Sequence, residues 1–213
     1  MDEALAEVLR YLGRRGQDVP PELLGQIREC MELMEKTSKP RHIRRCFSLA
    51  ATDDGVLLLG AGLFLRGGDI LRHLNNCREA VLMAVTLGAE ADTLIRRHEH
   101  TDLTHALILD ACATRLIEHE CDLLEAQIHA EAYGIATSRY SPGYGDLALE
   151  IQPQILAVLD AGRKIGLTCT DSLILLPRKS VTAIIGLGAG GLSGGCESCN
   201  LRESCTSRKD GKQ

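Results

Sequence analysis

The chain has 213 residues, enough for one domain with a substantial hydrophobic core. Its formal net charge is −5 at pH 7, and the sequence contains no long basic block. The composition therefore gives no support for nucleic-acid binding, which needs a concentrated positive surface. The longest apolar runs are too short to cross a bilayer, and acidic residues close to Met1 do not suit a signal peptide, so we expect a cytoplasmic protein.

The N-terminal half of the chain predicts helices at both ends and strands between them. Amphipathic periodicity and turn residues mark the elements. In chain order, they are helices at 2–14 and 21–36, strands at 43–50 and 55–60, a short helix ending at Asn75, a buried strand at 79–86 and a short helix ending near Arg97.

The longest periodic segment, residues 102–131, predicts one long helix. Its buried face is marked by residues at three- and four-residue spacing: Leu103, Leu107, Asp110, Thr114, Ile117, Cys121, Leu124 and Ile128. A helix stacks a second set of residues in a column along the edge of that face: Glu118, Asp122, Glu125 and His129. The column is either a solvated margin or a set of side chains of which one acid faces a cleft.

The last part of the chain predicts a loop after Gly134, a helix at about 151–163 and two strands, near 172–176 and 180–187. Helices and strands are mixed along the whole chain without regular β-α-β alternation. This order favours an α+β domain over a doubly wound parallel sheet.

The loop from Thr137 to Asp146 concentrates residue types suited to ligand binding. Pro142-Gly143 predicts a tight turn, where glycine lets a ligand approach the backbone closely. Arg139 offers a planar set of donors that suits a carboxylate or a phosphate. Tyr140 and Tyr144 matter because the whole chain has only four Tyr and two Phe. The pattern indicates a ligand loop, the alternative being an ordinary surface turn.

Three blocks in this region carry a family resemblance: Arg115-Leu-Ile-Glu118, then Arg139-Tyr-Ser-Pro-Gly-Tyr144, then Ile165 to Ser172 with Pro177 to Val181. They are similar, in the same order, to the Arg-Leu-Ala-Glu, Arg-x-x-Pro-Gly-Tyr, Gly-x-x-Leu-Thr-Glu-Ser and Pro-x-x-Ser-Val motifs of the activation domain of cobalamin-dependent methionine synthase. The resemblance spans roughly residues 105–185. It implies a single α+β domain with a mostly antiparallel, twisted sheet packed with helices.

The resemblance also implies a ligand, because in that family these motifs bind S-adenosylmethionine. Arg139 would hold the methionine carboxylate and Glu118 would meet the ammonium end. Ser141, Gly143 and Tyr144 would shape the pocket, largely through the backbone. The charges fit, since the ligand carries a carboxylate for an arginine and two cationic groups for an acid.

Two departures from the family pattern bear on the pocket. Gly145-Asp-Leu-Ala148 stands where the family has Pro-Ala-Cys-Pro. The family's C-terminal section, with another tyrosine that contacts the ligand, is replaced by glycines and cysteines, so we expect a pocket that is either incomplete or closed by a partner. We divide the chain into an N-terminal helical segment at 1–40, an activation-like domain that binds S-adenosylmethionine at 41–188 and a Gly/Cys-rich tail at 189–213.

The nine cysteines fall into two groups. Six lie mostly among apolar neighbours and are predicted to act as small hydrophobes: Cys30, Cys46, Cys77, Cys112, Cys121 and Cys169. The other three, Cys196, Cys199 and Cys205, have a spacing that suits zinc or an iron–sulfur cluster. The fourth ligand could be Cys169 or an external group. Alternatively, the site could be an exposed iron that lacks a fourth ligand. The alternative is a tail with reactive thiols.

The resemblance implies reactivation of a corrinoid enzyme by reductive methylation, in support of methionine synthesis. The chain would be an accessory subunit of cobalamin-dependent methionine synthase or a related corrinoid protein, because it lacks a corrinoid-binding motif of its own. An electron donor would be a second partner, with the tail cysteines as its entry point. The alternative is a non-catalytic corrinoid-protein partner, or a metal or iron–sulfur adaptor, that kept the fold.

Overall fold

A computed structural model describes residues 3–14, 18–132 and 134–188. The helices are α1 (Glu3–Tyr11), α2 (Pro21–Thr37), α3 (Gly68–His73), α4 (Ala89–Glu99), α5 (Leu103–Glu131), α6 (Gln152–Leu159) and α7 (Ala161–Ile165). The strands are β1 (Arg41–Ala51), β2 (Gly55–Leu58), β3 (Leu63–Arg66), β4 (Cys77–Thr86), β5 (Ile135–Ala136), β6 (Thr168–Cys169), β7 (Leu175–Leu176) and β8 (Ser180–Gly188). Within these described ranges, no helix is long and apolar enough to cross a membrane.

Six strands form one antiparallel sheet in the order β3-β2-β1-β4-β8-β5, and β6 pairs with β7 separately. Strand β4 lies in the middle, between β1 and β8. Every residue from Ala80 to Thr86 is buried, because successive side chains point to opposite faces and both faces are covered. This explains why β4 appears in the sequence as a continuous apolar run.

The sheet separates two hydrophobic cores. On one face Val81, Met83 and Val85 pack with buried residues of α1, α2, α4 and α5. On the other face Leu82 and Ile184 pack with residues of α3, α6, α7 and the β2–β3 hairpin. The architecture is therefore a central antiparallel sheet with helices on both faces, and the expected α+β fold class is confirmed.

Helix α5 lies along the first core and contributes more buried residues to it than any of α1, α2 and α4. The Asp102 side chain caps its N-terminus by accepting a hydrogen bond from the His105 amide at 3.0 Å. The expected buried stripe is wrong in the first two turns, where Leu103 is 65% and Leu107 58% exposed. There α2 and α4 cover the neighbouring side of the helix instead, which buries Leu109.

Most of the expected elements are present, and the differences have local causes. The helix expected at about 151–163 divides into α6 and α7 because Asp160 adopts a left-handed conformation with φ 55°. Strand β3 and the two-residue strands β5 and β6 were missed. Four of the six scattered cysteines are buried as expected, whereas Cys46 is exposed and Cys169 half-buried. Burial raises the pKa of the Cys121 thiol to about 12, which disfavours the reactive thiolate at neutral pH.

Candidate functional site

The loop after α5 returns along the edge of β8. Strand β5 pairs with the end of β8, and the Thr137 amide donates to the Gly186 carbonyl at 2.9 Å. Tyr140 and Ile184 then exchange two backbone hydrogen bonds of 2.9 and 2.8 Å. This pairing fixes the backbone on both sides of Arg139 and holds it beside α5.

Arg139 meets three carboxylates of α5, and we call these four residues the Arg139 cluster. Its Nη2 lies 2.6 Å from Asp122 Oδ1 and 3.4 Å from Glu118 Oε2. Its Nε lies 3.0 Å from Glu125 Oε2, and its backbone amide donates to Glu125 Oε1 at 3.0 Å. The acids share one side of the helix because they are spaced four and three residues apart. The column thus contacts the loop.

The cluster carries an excess of negative charge at the protein surface. Arg139 and Glu125 are each 17% exposed, whereas Glu118 is 37% and Asp122 49% exposed. Burial opposes the charge of Arg139, but Cys121 and the three carboxylates outweigh burial and raise the pKa of its guanidinium. With one cation and three acids, the four residues of the cluster carry a formal charge of −2. Such a site favours a cationic group.

One donor of the cluster has no acceptor. Arg139 Nη1 is buried and has no hydrogen-bond partner among the described residues. Buried donors of this kind are uncommon in proteins and call for an explanation. The Cys121 thiol also interacts with the Arg139 side chain, but a thiol is a weak acceptor. An anionic ligand group could therefore supply the acceptor that Nη1 lacks.

The last residue of the column plays a different part. His129 Nε2 lies 3.0 Å from the Thr137 carbonyl and 3.9 Å from Glu125 Oε1. It therefore ties the end of α5 to the start of the loop. Its contacts stabilise the position of the loop.

The tight turn expected at Pro142-Gly143 is present. The Gly143 amide donates to the Leu147 carbonyl at 2.8 Å, and the Tyr144 amide donates to the Ser141 carbonyl at 3.2 Å. Gly143 has φ 88°, a conformation that favours glycine. In the described chain, no hydrogen bond or ion pair joins this turn to Arg139 or Glu118. Tyr144 is 60% exposed.

The segment that departs from the family pattern anchors the loop to α3. The Asp146 carboxylate accepts from the amides of Gly68 at 2.7 Å and Asp69 at 3.0 Å, which are at the N-terminus of α3. In return, Asp69 Oδ2 accepts from the Asp146 amide at 3.2 Å. A Cβ on Gly145 would overlap Asp69 Oδ2 and the Tyr140 hydroxyl. Gly145-Asp146 thus has a structural role that the sequence comparison missed.

A second contact fixes the same loop from α3. The His73 and Tyr140 rings lie 4.9 Å apart, and His73 Nε2 lies 3.0 Å from the Ser138 carbonyl. Burial lowers the pKa of His73, although the Ser138 carbonyl partly opposes this effect. The ring is therefore held as a neutral imidazole that donates from Nε2.

Helix α1 contributes a residue that sequence reasoning also missed. Tyr11 packs against the first core, and Arg10 lies 4.8 Å from the centre of its ring. Burial raises the pKa of Tyr11, and the charge of Glu118 adds to the rise. Tyr11 thus lies near the acid column, and nothing in the sequence links position 11 to position 118.

The expected metal ligands Cys196, Cys199 and Cys205 lie outside the described residues. Across residues 3–14, 18–132 and 134–188, no group of three or more His, Cys, Asp or Glu has an arrangement that could hold a metal ion. Cys169, one candidate for a fourth ligand, is at the end of β6 and packs against the second core.

The fold is similar to that in a crystal structure of the MetH reactivation domain bound to AdoHcy (S-adenosylhomocysteine). The TM-score is 0.61 over 81% of this chain and 67% of that chain, with 18% sequence identity. No protein-family profile matches the sequence, and no curated protein sequence matches it. The similarity shows that the chain shares the fold of that domain.

Proposed function

We propose that this chain binds S-adenosylmethionine at the Arg139 cluster and acts as an accessory subunit in the reductive methylation of a partner's corrinoid. In such a reaction, the corrinoid first receives one electron from a donor protein. The reduced corrinoid then takes the methyl group of S-adenosylmethionine, and S-adenosylhomocysteine is released. One observation carries the proposal: Arg139 and Glu118, from the two motifs that resemble the family's ligand-binding blocks, lie within 3.4 Å of each other.

The charges and donors of the cluster suit this ligand. The excess negative charge favours the ammonium and sulfonium groups, and Glu118 and Asp122 are the acids most open to solvent. The unpaired Arg139 Nη1 suits the methionine carboxylate. Because Nη1 is buried, a ligand reaches it only when a neighbouring side chain moves. The chain's task would be to position the ligand, which is a large part of catalysis.

The turn would shape the pocket in a limited way. The amides of Gly143 and Tyr144 are already used within the turn, so they are not donors for a ligand. The exposed Tyr144 ring remains available to cover a ligand or a partner. At Gly143 a Cβ would meet only Leu149 Cδ1, at 3.6 Å, so the turn is open at this position. Ser141, Gly143 and Tyr144 would border the ligand there.

One observation favours the alternative, a non-catalytic corrinoid-protein partner that kept the fold. Arg139 already has three carboxylate neighbours, and its Nε and Nη2 atoms are engaged by them. A carboxylate ligand must compete with these contacts. In this alternative, the Arg139 cluster only joins the loop to α5.

Calorimetric titration of the purified chain with S-adenosylmethionine separates the two functions. We expect a dissociation constant between about 1 μM and 1 mM, the usual range for enzyme substrates. Absence of binding at several millimolar, with the fold intact by circular dichroism, would exclude the first function and leave the alternative. Binding without methyl transfer to a reduced corrinoid protein would limit the role to ligand capture.

We further propose that Cys196, Cys199 and Cys205 bind an iron–sulfur cluster or, failing that, zinc. Three thiols within ten residues suit either metal in a reducing compartment. The cluster is preferred because reductive methylation needs an electron and zinc cannot carry one. Protein purified without oxygen should contain iron and acid-labile sulfide, and Cys196→Ser with Cys199→Ser should remove both. Metal-free protein from the same preparation would exclude the site.

A further inference from the structure

A cleft borders the first turns of α5. It has a volume of about 100 Å³, and its charged lining is formed by Asp92 and Arg96 of α4, Asp110 of α5, and Arg178 and Lys179. Asp110 precedes Glu118 by eight residues, which corresponds to about 12 Å along the helix axis. The cleft is therefore separate from the Arg139 cluster.

The segment before β8 is held in place on three sides. The Leu87 amide, at the end of β4, donates to the Lys179 carbonyl at 3.0 Å. The Arg178 amide donates to Asp92 Oδ2 at 2.6 Å. The Lys179 ammonium donates to Asp110 Oδ1 at 2.9 Å and to Thr114 Oγ1 at 2.8 Å. The backbone that carries Arg178 is thus fixed at the cleft.

The charges of the cleft do not balance. Asp110 pairs with Lys179, which is only 15% exposed. Asp92 lies four residues before Arg96 on α4, a spacing that often gives an ion pair, but its carboxylate is directed to the Arg178 amide instead. Within the described chain, neither Arg96 nor Arg178 has an acid within 4 Å or a side-chain hydrogen bond. Three cations and two anions leave one positive charge in excess.

We propose that this cleft binds a small oxyanion, a phosphate or carboxylate group, through the guanidinium groups of Arg96 and Arg178. Guanidinium groups bind such anions with two parallel hydrogen bonds, and two arginines can enclose one anion. A volume of about 100 Å³ accommodates a group of this size. The proposal does not depend on S-adenosylmethionine binding, because the two sites share no residue.

The test uses the full chain, with inorganic phosphate and acetate as probes, each compared with chloride at equal ionic strength. Amide chemical shifts of α4 and the segment 176–180 report binding. We expect phosphate or acetate, but not chloride, to shift these amides in a saturable way. The stronger of the two anions identifies whether phosphate or carboxylate is the ligand group.

Arg96→Gln and Arg178→Gln should each weaken the affinity at least tenfold. Arg97→Gln is the matched control, because Arg97 is also exposed on α4 and does not line the cleft; it should bind as the unmodified chain does. Equal loss in the Arg97 variant, or shifts that chloride reproduces, would overturn the proposal. Since all three positions are exposed, folding should be unaffected, and S-adenosylmethionine titration of the same variants should be unchanged.

Discussion

Two cations contact α5 with almost the same burial and very different surroundings. Lys179 is 15% exposed and meets one carboxylate, that of Asp110. Arg139 is 17% exposed and meets three. One acid is enough to neutralise a cation in a folded protein, and Glu125 also accepts the Arg139 backbone amide. Glu118 and Asp122 are therefore the acids that add repulsion beyond this structural pairing. Groups that lower the stability of the fold and have no structural role tend to belong to functional sites.

The largest effect is expected from Arg139→Ala, which removes the cation that contacts all three acids of the cluster. We expect the free energy of unfolding to fall by about 3 kcal/mol, the lower end of the range for breaking a buried ion pair, since Glu118 and Asp122 remain partly solvated. Urea unfolding measures this loss. Binding of S-adenosylmethionine, where the variant is still folded, should weaken by about 2–5 kcal/mol.

Lys179→Met is the matched control for that comparison. Its partner Asp110 is 43% exposed, so water can solvate the carboxylate that is left, and we expect a loss of about 1 kcal/mol. S-adenosylmethionine binding should be unchanged. Equal losses of stability and of binding in the two variants would contradict the distinction between the sites.

A second prediction concerns the loop that carries Arg139. Gly145→Ala places a methyl group against Asp69 and the Tyr140 hydroxyl, and should cost about 2 kcal/mol through overpacking. Gly143→Ala meets only Leu149 and should cost about 1 kcal/mol, mainly through its left-handed backbone. Thermal unfolding of both variants tests whether Gly145→Ala lowers stability more than Gly143→Ala does. The reverse order would mean that the anchor to α3 is weak.

The acids of α5 provide a third test. Glu118→Gln should change stability by less than about 0.5 kcal/mol, because it removes repulsion together with a 3.4 Å ion pair. It should weaken S-adenosylmethionine binding by about 1 kcal/mol, because the amide keeps an acceptor but loses the charge. If Glu118→Gln has no effect and Asp122→Asn does, the ammonium group binds at Asp122. By contrast, Asp110→Asn should lower stability without affecting binding.

The smallest effect is expected from pH. Burial holds the pKa of His73 below its usual value of about 6.5, so the unfolded chain binds a proton more readily than the folded one. The free energy of unfolding is therefore not reduced by His73 above about pH 6.5. It falls as the pH decreases from there towards the folded-state pKa of His73, because the unfolded chain takes up the proton first. His73→Gln should flatten this part of the stability curve, measured by urea unfolding between pH 7.5 and 5.5. A curve unchanged by the substitution would assign the pH dependence to other groups.

The parts of this structure that follow from periodic sequence patterns could be predicted, and those that follow from distant contacts could not. The three- and four-residue spacing predicted α5 and its acid column, and the continuous apolar run at 80–85 predicted β4. Strands β5 and β6 have two residues each, too few for a periodic signal. The pairing of Asp146 with the start of α3 joins residues 77 and 78 positions apart, and local propensity carries no information about such contacts.

The same limit applies to the candidate site. The sequence predicted that Arg139 and Glu118 belong to one ligand site, and the structure brings them together. From the sequence alone, the contacts of Asp122 and Glu125 with Arg139 could not be predicted, because a column of acids on a helix does not reveal which residue packs against it. The binding roles of Ser141, Gly143 and Tyr144 stay predictions.

The most direct measurement compares the affinity of the chain for S-adenosylmethionine, a sulfonium cation, with that for S-adenosylhomocysteine, its neutral thioether. If the excess negative charge at Arg139 serves to bind a cation, S-adenosylmethionine should bind more tightly. Neutralising the acid that faces the sulfonium, by Glu118→Gln or Asp122→Asn, should narrow the difference, whereas neutralising an acid that faces only the ammonium should weaken both ligands alike and Lys179→Met should leave the difference unchanged. Equal affinities in the unmodified chain, or a difference that none of the acid variants narrows, would contradict the account.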